Sequence, residues 1–138
     1  MLNSSGNLGN TSNWSPTTDL AVSIRTDDGI YGQKSIHLVP PKGASSRSML
    51  RQTVTDRLGI SNMTNVTLSY WYRATSSSIS SGVGAFLRLT DDSGGFKDVL
   101  VPIKEELTLD WKWHKYTVTA NLSNYAGTYT GAILHLCA

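Results

Sequence analysis

Apolar and polar residues alternate with a period of two along most of this chain. The alternation is strongest in Val66-Thr-Leu-Ser-Tyr-Trp-Tyr-Arg-Ala74. Val66, Leu68, Tyr70 and Tyr72 share one parity, and Thr67, Ser69, Trp71 and Arg73 share the other. A period of two is the signature of a β-strand, so the even set is expected in a core and the odd set, with Trp71 and Arg73, on an outward face. Residues 83–90 repeat the pattern, with Val83, Ala85, Leu87 and Leu89 inward and Phe86 and Arg88 outward. Residues 20–24 place Leu20, Val22 and Ile24 on one side, and residues 35–39 form a strand ended by Pro40-Pro41. Residues 49–54, 113–119 and 132–137 complete the confident strands. His135 takes the outward parity of the last one if Leu134 and Leu136 are core. Asp91-Asp-Ser-Gly-Gly95 predicts a hairpin turn, with residues 99–103 as its return strand and Pro102 marking an edge or bulge. About eight short strands, punctuated throughout and without helical periodicity, predict an all-β sandwich.

Composition narrows the class. The 138 residues suffice for one domain with a real core, and residues 1–138 are read as that single domain. Residues 1–18 read as an irregular polar arm tied down by Trp14. Charged residues make up only 16% and the net charge is +2, with the basic residues scattered, so neither a nucleic-acid footprint nor a polybasic membrane patch is present. No apolar run is long enough to span a bilayer. The abundance of Ser, Thr, Asn and Gly, with four Trp and six Tyr, fits an extracellular β-rich domain. Cys137 is the only cysteine and reads as a small buried hydrophobe near the terminus, with no internal disulfide to form. Met1-Leu-Asn-Ser-Ser5 lacks the basic start and apolar core of a signal peptide, so the chain is expected to be an excised module or fragment. Six Asn-x-Ser/Thr sequons occur, as so Asn-, Ser- and Thr-rich a chain produces by chance.

Three segments in order carry a resemblance: Asp28-Gly-Ile-Tyr-Gly-Gln-Lys-Ser35, Asn65-Val-Thr-Leu-Ser-Tyr-Trp-Tyr-Arg73 and Trp113-His-Lys-Tyr-Thr-Val-Thr119. Together they resemble carbohydrate-binding modules with a galactose-binding-like jelly-roll fold, of the kind appended to glycoside hydrolases and found on phage tails. The resemblance covers roughly residues 20–138 and implies a jelly-roll β-sandwich of two antiparallel sheets. It also implies structural, mostly core, positions for Trp113 and Tyr116. Such modules usually end on a further strand with acidic residues, absent here. The chain is therefore truncated, completed by another segment, or different in topology. In the family a structural Ca2+ often joins an early turn to that strand. Asp27 and Asp28 match the early half, and they are the candidate metal ligands.

Sugars offer apolar C–H faces and rings of hydroxyls, so their sites combine flat aromatic side chains with planar polar groups. Trp71 and Arg73 on one strand, Phe86 and Arg88 on another, and His135 on a third are expected to line a shallow groove on one sheet. Tyr31 and Trp111, with Tyr125 and Tyr129, fall in expected loops and can form a rim. His37 and His114 are isolated, and no two histidines have metal-ligand spacing. Catalytic motifs are missing: there is no nucleophile elbow, P-loop or zinc-protease helix. The adjacent pairs Asp91-Asp92 and Glu105-Glu106 would point to opposite faces of a strand, which makes them poor acid–base couples. The expected function is non-catalytic binding of a polysaccharide or cell-wall glycan, anchoring a larger multidomain protein or assembly that is secreted or virion-associated. The alternatives are a phage-tail or adhesin module for host-wall polysaccharide, and a ligand-free spacer.

Overall fold

A computed structural model of the chain describes residues 14–16, 20–25, 28–30, 34–39, 49–55, 59, 63–75 and 84–137. Its strands are β1 (Ser15–Pro16), β2 (Ala21–Arg25), β3 (Ser35–Val39), β4 (Met49–Thr53), β5 (Asn65–Tyr72), β6 (Gly84–Thr90), β7 (Phe96–Val99), β8 (His114–Asn121) and β9 (Gly131–Cys137). One antiparallel sheet has the order β1-β4-β9-β6-β7, while β2 pairs with β3 and β5 with β8 as two antiparallel ribbons.

Alternation builds the two layers. Ala85, Leu87 and Leu89 of β6 and Ala132 and Leu134 of β9 form one buried cluster, and Val66, Leu68, Tyr70, Val118 and Ala120 of the β5–β8 ribbon pack against it. Leu89 and Ala132 are wholly buried. At roughly 25 cal/mol per Å² of apolar surface removed from water, this interlayer seam is the main stabilising term. Trp14 packs on the same cluster, as expected, although its arm is not wholly irregular: Ser15 and Pro16 pair with Arg51 and Leu50 at the sheet edge. An edge tolerates Pro16 because a missing N–H there costs no ladder bond.

Two expectations are corrected. The return strand of the hairpin is Phe96–Val99, not residues 99–103. The turn itself is the expected Asp91–Gly95, closed by one oxygen, so pairing resumes at Phe96. Asp91 Oδ1 accepts from the backbone N–H groups of Ser93 (2.9 Å) and Gly95 (2.7 Å) and from the Ser93 hydroxyl (2.8 Å). Pairing ends where Leu100 turns into the left-handed region at φ 56°. The second correction is larger. β5 and β6 belong to different layers, so their outward residues face opposite sides of the molecule and do not line one groove.

A second small core sits at one end of the ribbon, where Tyr72, Ala74, Leu107 and Tyr116 are buried together. Two phenols tie the 100–113 segment over it. Tyr72 Oη accepts from the Thr108 N–H (2.8 Å), and Tyr116 Oη accepts from the Ile103 N–H (3.2 Å) and donates to Glu106 (3.2 Å). The neighbouring Tyr70 phenol is pushed up to about 12, first by burial, which disfavours the phenolate; the Ala85 backbone partly offsets this.

Candidate functional site

The ribbon's outer face is polar and flat over most of its length. Asn65, Thr67, Ser69 and Trp71 stand directly opposite Asn121, Thr119, Thr117 and Lys115. The hydroxyls pair across the strands, Thr67 with Thr119 at 2.8 Å and Ser69 with Thr117 at 2.9 Å. Each such cross-strand pair contributes about 0.2–1 kcal/mol and fixes its rotamers. Trp71 ends the ladder, 42% exposed.

Beyond Trp71 lies an aromatic cluster centred on Arg73. Its guanidinium carbon sits 4.5 Å from the Trp111 ring centroid and 5.2 Å from that of Trp113, and its Nη2 donates to Asp28 Oδ2 at 2.5 Å. Arg73 is largely buried, with 19% of its side chain accessible, whereas Trp111 is 49% exposed. The Trp111 N–H donates to Ala74 O at 3.0 Å, which docks this loop beside the end of β5. Trp111 adopts φ 61°, a conformation that costs an L-residue about 1–2 kcal/mol. One further clamp holds the loop. Asp110 Oδ1 accepts from His114 Nε2 (2.7 Å) and the Lys112 N–H (3.0 Å). Donation from His114 is the leading reason the Asp110 carboxyl is held below its ordinary range.

The other three sheet residues meet on the far side of the molecule. Phe86 and His135 are only 1% exposed, with ring centroids 4.7 Å apart, and His135 Nδ1 lies 3.0 Å from Met49 Sδ. Their outward parity is correct, but the outer side of the five-stranded sheet is itself packed there, so neither ring offers a free stacking face. Arg88 makes two bonds to Asp98, 2.6 and 2.8 Å, and lies 4.1 Å from the centroid of Phe96, which is 58% exposed. The Asp98 bonds are the main reason the Arg88 guanidinium is held protonated more firmly than usual.

The predicted set thus splits. Trp71, Arg73 and Trp111 come together, Phe86, Arg88 and His135 form a separate group, and Tyr31 and Asp27 lie outside the described residues. Tyr116 is core as expected. Trp113 is half-buried against Arg73 on the outer side. The alternation of Trp113-His-Lys-Tyr116 carries that signal, since residues three apart on a strand point opposite ways. Lys115, directly opposite Trp71, is a further residue of this surface that the motif reading passed over.

No family model and no curated protein sequence matches the chain. Solved structures do. The CBM22-1 xylan-binding domain of Xyn10C from Paenibacillus barcinonensis superposes with a TM-score of 0.65 at 16% identity, covering 94% of this chain and 78% of that one. The chain has the fold of the CBM22 domains. The tandem CBM22-1–CBM22-2 structure of the same protein gives a TM-score of 0.61 at 15% identity, and this chain spans 41% of its length. The expected jelly-roll sandwich is therefore the fold observed, and the CBM22 likeness is one of architecture.

Of the candidate ligands for the structural calcium that the resemblance implies, Asp28 is described and Asp27 lies outside the described residues. Asp28 gives its carboxylate to Arg73, and no group of three His, Cys, Asp or Glu side chains converges among the described residues.

Proposed function

We propose that this chain is a non-catalytic polysaccharide-binding module whose ligand lies along the outer face of the β5–β8 ribbon and over the Trp71, Trp111 and Arg73 end. One observation carries the reading: the half-exposed Trp111 indole stacks on an arginine that is fixed by Asp28 and stands two residues along the same strand face from the half-exposed Trp71. Exposed indoles are costly to leave in water and fit the C–H faces of pyranose rings. The hydroxyl ladder beside them offers donors and acceptors at regular strand spacing to the ring hydroxyls. The CBM22-like fold and the xylan-binding role given for its structural neighbour support a polysaccharide as ligand, and the tandem arrangement of the second neighbour supports a multidomain parent.

The test is a glycan-array screen followed by titration with any polymer that binds, using Trp71→Ala, Trp111→Ala and Phe96→Ala. Stacking of this kind is worth about 0.5–1.5 kcal/mol per ring beyond area burial. Each tryptophan variant is expected to weaken binding roughly tenfold while Phe96→Ala leaves it unchanged, with circular dichroism showing all three folded. Loss through Phe96→Ala alone would move the site to the five-stranded sheet. Absence of binding to plant, host and bacterial-wall glycans would leave a spacer.

A further inference from the structure

Resting on that reading, the charge placement around Trp71 points to a ligand class: we propose that this face selects polysaccharides carrying carboxylate groups, such as uronic acid residues, through Lys115. Among the described residues, Arg73 lies within the cluster and Lys115 stands opposite Trp71, with Asp28 paired to Arg73 and Asp110 in the loop beside Trp111. Both carboxylates have partners of their own, Asp28 in Arg73 and Asp110 in His114 and the Lys112 backbone. Lys115 is exposed and has no ion-pair partner among the described residues. It stands in register with Trp71, so the two side chains rise side by side, with Cβ atoms about 4.5–5.5 Å apart. A carboxylate borne by a sugar stacked on Trp71 lies within reach of the Lys115 ammonium, which offers three charge-assisted donors and suits a carboxylate better than a hydroxyl. The rest of the ladder, Asn, Thr and Ser only, adds no negative charge that would repel an acidic chain.

The experiment compares affinity electrophoresis of the 138-residue chain in two polymer pairs. One pair is a glucuronic-acid-bearing xylan and the same polymer after carboxyl reduction; the other is homogalacturonan and its methyl ester. Lys115→Gln is run beside Lys97→Gln, which removes the same charge from exposed β7 in the other sheet. An exposed charge pair supports an expected preference of roughly two- to fivefold for an acidic polymer over its neutral partner at low salt, fading as salt approaches ~0.2 M. Lys115→Gln abolishes the preference for the acidic partner, and Lys97→Gln leaves it intact. Equal affinity for acidic and neutral partners, or equal effects of the two lysine variants, overturns the inference while leaving polysaccharide binding intact. Failure to retain either acidic polymer at low salt also overturns it, and the neutral polymers together with the glycan array then decide whether the parent reading survives.

Discussion

Single residues at the Arg73 cluster show why a local pattern was not enough. Alternation exposed Trp71 and the outward turn of Arg73, but the partner that fixes Arg73 lies 45 residues earlier, in a turn read as a metal site. Asp28→Asn is expected to leave a half-buried guanidinium without its counter-charge. Because the Asp28 side chain is 40% accessible, we discount the pair to about 1 kcal/mol. That corresponds to a melting temperature lower by about 2–5 °C in calorimetry. Asp110 gives a pH test. Its folded carboxyl is held down mainly by His114, so its contribution is present above the ordinary carboxylate range and is lost as pH falls through the lowered value. In a carboxyl-carbon NMR titration, His114→Ala is expected to move the Asp110 midpoint upward; an unmoved midpoint would detach His114 from the loop clamp.

Elements were legible in their existence and less so in their partners. Period-two runs located β3 fully and β4, β5, β6, β8 and β9 to within one or two residues, because a half-buried strand must alternate. The turn was placed correctly, but its return strand was set too late because Phe96-Lys-Asp-Val99 is mostly exposed and charged, and hydrophobicity does not record its backbone pairing with β6. Two substitutions test the packing. Leu89→Ala on β6 removes a wholly buried side chain from the interlayer seam and is expected to cost about 2–5 kcal/mol in urea unfolding. Gly84→Ala is expected to destabilise by about 1–3 kcal/mol although it adds one methyl group. Its Cβ would fall 2.4 Å from Tyr70 Oη, and its φ of 129° excludes ordinary side chains. Native stability in that variant would mean that Tyr70 can move aside.

Across the whole molecule, the two layers turn the candidate aromatic residues to opposite sides, and this decides which of them can act together. It also sets how the fold responds to alkali. Tyr70 lies between the layers, and its folded value of about 12 exceeds the ordinary 10, so its contribution is complete below pH 10 and lost as pH rises toward 12. Tyrosinate absorbance is expected to show a late phase coincident with loss of near-ultraviolet dichroism; early, fully reversible titration of every tyrosine would contradict that burial. With Asp28 committed to Arg73, removing divalent ions with EDTA is expected to leave the melting temperature unchanged. A fall restored by added Ca2+ would place an ion in the fold.

The sequence by itself determined that the chain is an all-β sandwich, which faces of its strands turn inward, and that Trp71 stands outward, because burial of alternate residues is a local constraint on a pleated strand. Only the tertiary structure decided that Trp71 and Phe86 lie on opposite sides, that Phe86 and His135 are covered despite their outward parity, and that Asp28 faces a guanidinium. Those outcomes depend on which strands share a sheet and what packs over each face. Strand parity carries no information about either.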